Sequence, residues 1–528
     1  VPHILSANGF FKDMITQDKR INLLCAYDSK TIANGAVAQG SMGVSIINTW
    51  DFPNQSDGTP ALVGLSTHGP RTTSGLDKLL GHANATASNF TGTSYTATTA
   101  EPRYNADAYE LPPTHCTVYN RAAGTGRTAW AGALTNLNGV LFAVAFGGAP
   151  VQAGSTGSAT TCNAGAMGVD PFAGRSTRTK FIGIRPGSNG PNDMRCQGFR
   201  QLDNQGTISA ANTVQIGSPT TADFSGTADV FGVSCDCGNG WGRPGLLLAN
   251  PASVVDTLQW TCISAGAAVF RDDGAGNRLN AGVTVGMCAI GGLNTAQWAS
   301  GMGATGMGTT PDPYNTTAKA QKYLKEWIDM PTHVVWYTGH NFQAAERTDI
   351  IAGLSGAMTH VWRDHTIAAF DAITAMCLAE GKPAPKFLIV LREWNKHDHT
   401  TGTDMARFDQ MLQQEAAAVC IATGAEMVDL FHETWDGTTT DYDTLSWDQR
   451  NAAMPYTQRA HNQAVAGGAS GPVQASSTDW LHNSVQGQMY LARMVWDIGM
   501  DAIGYVRGAN FGHPRKRSDV ERYRNRAG

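Results

Sequence analysis

Two textures divide this 528-residue chain, and the boundary between them constrains the fold more than any single motif does. Residues 51–280 hold 32 of the 60 Gly but only two of the 12 Lys, Lys78 and Lys180. Short apolar runs there, Val140–Phe146, Lys180–Ile184, Val230–Val233 and Gly245–Leu248, are separated by Gly, Asn, Asp and Pro clusters. That spacing predicts short strands and many turns, an all-β, sandwich-like region. From about residue 281 the pattern lengthens. Val334–Tyr337 and Phe387–Leu391 read as buried strands, and Ala318–Ile328, Thr366–Ala379, Met405–Ala422 and Gln486–Asp497 as amphipathic helices. Residues 20–45 share this texture, with Ile21–Ala26 as a buried strand and Lys30–Gln39 as a helix. Such alternation predicts a parallel sheet with helices on both faces. The expected organisation is an α/β domain in two parts, 1–50 and 281–505, interrupted by a β-rich insertion, 51–280, and followed by a basic tail, 506–528.

Composition narrows the function classes. Hydrophobic residues at 42% and charged residues at 15% describe a folded chain with a sizeable core. Gly is abundant without a Gly-X-Y period, which excludes collagen. The balance of 38 basic against 43 acidic residues, net −5, disfavours nucleic acid as a partner, because phosphate contact needs a basic face. The longest apolar candidate, Gly139–Ala149, falls well short of the roughly 20 residues of a membrane span. Val-Pro-His at the start lacks signal-peptide character, so the expectation is a mature or leaderless chain.

Four short segments carry chemistry. Strand Ile21–Ala26 runs into Tyr27-Asp28-Ser29-Lys30 and then a helical pattern, so Ser29 would sit where an α/β sheet presents a nucleophile. The competing use of Asp28 or Ser29 is a plain helix cap. The segment from Val283 reads as a strand ending in Gly291-Gly292, with a helix from about Thr295. Glycine there lets backbone N–H groups approach an oxyanion; otherwise the pair is a simple turn. Val334–Tyr337 leads to Gly339-His340-Asn341, whose amide could donate to the same oxyanion. Asp479-Trp-Leu-His482 precedes a helix from about Gln486. Residues three apart share a face there, so Asp479 could orient His482 as a general base. A local cap explains that spacing equally well.

In order, these blocks resemble the SGNH (GDSL-like) hydrolase family, over residues 20–45 and 281–505. Gly339-His340-Asn341 is similar to the version in carbohydrate acetylesterases of that group. Asp479-Trp-Leu-His482 with Gly487-Gln488 is similar to sialate-type and phage-borne members. Two positions depart from the family pattern: Tyr27 stands where the first block has Gly, and Phe342 follows Asn341 where Asp is usual. The resemblance implies an SGNH-type three-layer fold and a serine esterase without cofactor. Ser29, Asp479 and His482 would be its triad, with Ser29, Gly292 and Asn341 as the oxyanion hole. It implies an O-acetylated polysaccharide or glycan as substrate, with Tyr27 and His340 beside it. The second hypothesis is a structural or receptor-binding protein of a virion or cell surface on the same scaffold, with or without activity. An extracellular or virion-associated setting, and assembly through the termini as a homo-oligomer or with a virion partner, belong to that expectation.

Other features read more simply. Trp130, Trp241 and Trp260 could be sugar-stacking platforms, or core residues as large aromatics usually are. Asp272-Asp273-Gly-Ala-Gly-Asn277 reads better as a hairpin turn than as a calcium loop. His397-Asp398-His399 lacks a visible third metal partner, and no metal is expected. Cys25, Cys288, Cys377 and Cys420 read as buried free thiols, whereas the six Cys of 51–280 allow disulfides without requiring them. The Asn-x-Ser/Thr sequons at Asn54, Asn84, Asn89 and Asn315 are expected by chance in a Thr-rich chain. The six basic residues between His513 and Arg526 read as a solvated end.

Overall fold

A computed structural model describes residues 3–5, 8–27, 42–58, 61–68, 95–97, 117–121, 138–145, 177–184, 193–201, 213–223, 230–236, 243–250, 260–273, 275, 277–289, 294–301, 321, 324–325, 328–338, 342, 344–353, 356–394, 402–435, 456 and 483–505. Its strands in chain order are β1 (Arg20–Tyr27), β2 (Leu62–His68), β3 (Tyr95–Ala97), β4 (Thr117–Arg121), β5 (Asn138–Ala145), β6 (Thr177–Ile184), β7 (Asp193–Gln201) and β8 (Thr213–Asp223). They continue as β9 (Val230–Asp236), β10 (Arg243–Asn250), β11 (Trp260–Arg271), β12 (Gly282–Ala289), β13 (His333–Tyr337), β14 (Lys386–Leu391) and β15 (Glu426–Asp429). The helices are α1 (Phe10–Met14), α2 (Met42–Thr49), α3 (Thr295–Gly301), α4 (Ala344–Ala352), α5 (Val361–Ala379), α6 (Gly402–Thr423), α7 (Leu430–Thr434) and α8 (Val485–Ala502).

Seven of the eight residues of β1 are buried, as a strand covered on both faces requires. It lies between β12 and β13, parallel to both, in a sheet ordered β15-β14-β13-β1-β12-β2 over its parallel part. Side chains leave alternate faces and meet different helices. Leu24, Val334, Trp336, Ile389 and Met427 pack with Phe370 and Ile373 of α5 and Leu412 and Ala416 of α6. Leu23, Cys25, Val335, Val390 and Val428 pack with Phe10 and Phe11 of α1, Ile46 of α2, and Leu491 and Trp496 of α8. The expected parallel sheet with helices on both faces is therefore present.

The sheet does not stop at β2. Antiparallel β11 pairs with β2 from Gly266↔His68 to Phe270↔Gly64, and β4, β3, β6 and β9 continue the pairing to eleven strands. A separate antiparallel sheet, β5-β10-β7-β8, touches β9 and β6 through β7, β8 and β10. Among its described residues the region 51–280 supplies β2–β11; β2 runs parallel to β12 in the main sheet rather than in a separate sandwich, and β11 is its antiparallel neighbour.

The opposite, amino edge of the sheet is fastened by charge. The Asp13 carboxylate, on α1, meets Lys19 at 2.5 Å, Lys386 of β14 at 2.6 Å and the buried His333 of β13 at 3.1 Å. Burial raises its pKa, but those hydrogen bonds outweigh burial and hold the carboxyl well below its ordinary range. In the Asp272–Asn277 loop the Asp273 carboxylate accepts from Ala275 N, Asn277 N and Asn277 Nδ2, so it is spent on its own turn. Cys25, Cys377 and Cys420 are free and buried, as read from the sequence.

Candidate functional site

The carboxyl ends of the parallel strands finish flush. Tyr27 pairs with Ala289 on one side and Tyr337 on the other, Tyr337 with Val390, and Leu391 with Asp429. From β1 the chain goes to α2 on one face, and from β12 to α3, whose Trp298 lies on the other. Connections that diverge to opposite faces open a crevice at the strand ends, the usual place for a ligand in an open α/β sheet. In this sheet the connections diverge at the ends of β1 and β12.

Tyr27 closes β1 in an unusual conformation. Its φ is 131°, in the region that glycine tolerates and a bulky residue occupies only under constraint. The strand alternates up to Ala26, with Leu23 and Cys25 on the α8 face and Leu24 and Ala26 on the α5 face. Tyr27 should return to the α8 face, yet its ring joins Ala26 on the α5 face, because the positive φ reverses its Cα. There it lies edge-on to Trp336, with centroids 5.0 Å apart, and its hydroxyl meets Thr295 Oγ1 at 2.7 Å. Trp298 Nε1 donates to the Tyr27 carbonyl at 3.1 Å. Strain of about 1–3 kcal/mol is of the same size as full burial of an aromatic ring, so these contacts can hold the conformation.

A second buried network joins the edge to α8. Tyr337, the last residue of β13, donates its hydroxyl to Glu393 and accepts from Asn483 Nδ2 at 3.2 Å. Asn483 also donates to Gln488 Oε1 in the first turn of α8 at 2.8 Å, and Ser484 caps that helix by accepting from Gly487 N. Gly487 permits a close approach: a Cβ there would lie 1.9 Å from the Tyr456 carbonyl oxygen. All four side chains, Tyr337, Glu393, Asn483 and Gln488, are 2% exposed or less, so the start of α8 is registered against the sheet.

Further along, Arg392 and Asp409 form a buried ion pair at 3.1 Å. Asp429, at the end of β15, caps α7 through His432 N and accepts from Gln413 Nε2 at 2.6 Å. Burial pushes its pKa up to about 6, with the nearby Asp409 charge adding to it. A separate cleft between α4 and α5 is lined by Ala345, Thr348, Asp349 and Val361, but the Asp349 carboxylate is taken up by Thr359 and Val361 N. No cluster of metal-ligating side chains occurs among the described residues, and no helix among them is long and apolar enough to cross a membrane.

Of the residues singled out from sequence, Tyr27 lies at this edge, and Trp260 opens β11 opposite Arg121. Ser29, Gly292, His340, Asn341, Asp479, His482, Trp130, Trp241 and His397–His399 lie outside the described residues. The last described residues before the first three blocks are Tyr27, Ala289 and Thr338, at the ends of β1, β12 and β13, and Asn483 follows His482; after the blocks the nearest are Asn294 and Phe342, the latter edge-on to Phe408 of α6. Sequence reading passed over Glu393 and Asn483, and the only signal was their place after Leu391 and His482.

No family model matches the chain, and no curated protein does. Among solved structures it is similar to a peptidoglycan O-acetylesterase at 11% identity, with 95% of each chain covered and a TM-score of 0.43. It is also similar to a family two carbohydrate esterase from Clostridium thermocellum, at 10% identity over 63% of this chain and 91% of that one, TM-score 0.23. An acetyl xylan esterase shares 14% identity over 41% of this chain and 81% of that one, TM-score 0.20. Likenesses below a TM-score of 0.5 carry no argument about activity, which has to come from the chain's own residues.

Proposed function

We propose that the chain is a serine ester hydrolase whose site lies at the carboxyl ends of β1, β12 and β13. One observation supports this most: the strands that lead into the first three blocks end side by side at Tyr27, Ala289 and Tyr337, and Asn483, next to His482, is bonded to the end of β13. In the sequence Ser29 follows Tyr27 by two residues, and His482 directly precedes Asn483.

In this reading the Ser29 hydroxyl attacks an ester carbonyl, and its proton passes to His482, whose imidazolium Asp479 supports. The N–H groups of Ser29 and Gly292 and the Asn341 amide stabilise the oxyanion. The tetrahedral intermediate collapses, the leaving alcohol takes the proton from His482, and a water molecule then releases the acyl group by the same route. The acyl group we assign is acetyl and its carrier a glycan, the class that the Gly339-His340-Asn341 block resembles. The Ser29→Ala variant tests the assignment: hydrolysis of p-nitrophenyl acetate should vanish with the circular dichroism spectrum unchanged. Wild-type turnover in that variant refutes it.

A further inference from the structure

We infer that Tyr27 is a positioning residue that ties the Ser29 turn to the glycine-bearing connection between β12 and α3. The inference rests on the esterase reading above and explains the one departure from the family pattern in the nucleophile block.

The end of β1 needs a positive φ, 131°, which is the conformation a glycine would adopt freely. A tyrosine accepts it here because both of its polar groups are held by one short helix. Its hydroxyl meets Thr295 Oγ1 at 2.7 Å, and its carbonyl accepts from Trp298 Nε1 at 3.1 Å. Thr295 and Trp298 are one helical turn apart on α3, and both are fully buried. Two bonds from one rigid element fix the rotation of the Tyr27 peptide as well as its position. Since a peptide group is planar, holding the Tyr27 carbonyl sets the plane from which residue 28 departs.

The sequence distances are short on both sides. Ser29 is two residues beyond Tyr27, and Gly292 is three residues before Thr295. Along the chain the clamp is therefore two residues from one backbone donor assigned to the oxyanion hole and three from the other, and the role assigned to it is to fix one connection against the other. A glycine in place of Tyr27 would supply the φ without the clamp, so the tyrosine adds a constraint that the bare turn lacks. Misplacing a catalytic group by about 1 Å can cost two orders of magnitude in rate, so loosening the clamp should register in turnover.

The test compares Tyr27→Phe, Thr295→Val, their double variant, Thr295→Ser, Trp298→Phe, Ser29→Ala and a remote core control, Ile373→Val. The readouts are kcat and KM on p-nitrophenyl acetate and the rate of inactivation by a serine-directed organophosphonate. Tyr27→Phe and Thr295→Val should each lower kcat and the inactivation rate about tenfold with KM within about twofold. The double variant should lose no more than either single one, because both remove the same bond. Thr295→Ser should recover most of the loss, Trp298→Phe should lower kcat as well, and Ile373→Val should match the wild type. Turnover within twofold of wild type in Tyr27→Phe and Thr295→Val, with Ser29→Ala inactive, overturns the coupling but leaves the esterase reading intact. Additive losses in the double variant also overturn it. Wild-type turnover in Ser29→Ala overturns the esterase reading, and this inference with it.

Discussion

Replacing Asp429 with Asn should flatten a pH dependence of local stability at the carboxyl end of β15. Asp429 is 2% exposed, and burial raises its pKa from the ordinary 3.8 to about 6 in the folded chain. Between these values the folded carboxyl keeps its proton while an opened segment, exposed to water, gives it up. Proton binding then favours the folded state less and less as pH rises. The contribution is fully present below pH 3.8 and lost as pH rises through about 6. A shift of that size corresponds to about 3 kcal/mol, most of which falls between pH 4 and pH 7. Asparagine keeps the cap on His432 N, and Gln413 can turn its amide to accept from the new NH₂. The variant therefore preserves the local bonds and removes the titration. Hydrogen exchange of peptides covering 426–434, read by mass spectrometry, checks this, because the intrinsic pH effect cancels in the wild-type to variant ratio. That ratio should change roughly 50-fold between pH 4 and pH 7, with the wild type relatively less protected at the higher pH. An unchanged ratio would refute the placement of a strained, buried carboxyl at this edge.

Gly487→Ala should destabilise the chain by about 3 kcal/mol in urea unfolding, since its Cβ would meet the Tyr456 carbonyl at 1.9 Å and backbone has to move. Under the proposed function it should also lower p-nitrophenyl acetate turnover more than an equally destabilising change in α5, because the first turn of α8 closely follows the proposed base His482. Cys25, Cys377 and Cys420 should resist iodoacetamide at pH 8 in the folded chain and react fully in denaturant. Burial pushes Cys377 and Cys420 up to about 12 and Cys25 higher still, so thiolate is scarce. Mass spectrometry after timed labelling reads all three sites.

Most strands of the parallel sheet were legible because each carries its own signal, a short apolar run ending in turn residues, whereas β2, parallel to β12, falls in the region read as an insertion. Arg20–Tyr27, His333–Tyr337 and Lys386–Leu391 follow the expected strands within two residues at each end. Helix α2 was not legible: Met42–Thr49 is rich in β-branched residues, and its helix is held by packing against α8. The flip of Tyr27 was hidden too, since alternation assigns its ring to the face it does not use. The Tyr337–Glu393–Asn483 network joins residues 56 and 146 positions apart, and nothing local in sequence announces such partners. The four blocks could be named from sequence as residue types and order, whereas partners such as Thr295 for Tyr27 answer only to tertiary geometry.

The position of β1 in the sheet also has a consequence in time. Both of its neighbours, β12 and β13, lie more than 250 residues downstream. Ribosomes add about 5–20 residues each second, so the emerging β1 waits on the order of 13–50 s before its first partner exists. During that interval Ile21–Tyr27 offers an uncharged, apolar strand with two bare edges, the kind of segment that self-associates. Fragments ending before residue 289 should consequently collect in inclusion bodies, and chains synthesised to the end of β13 should escape them. Any route to producing the protein has to shelter its earliest strand until its latest partners arrive.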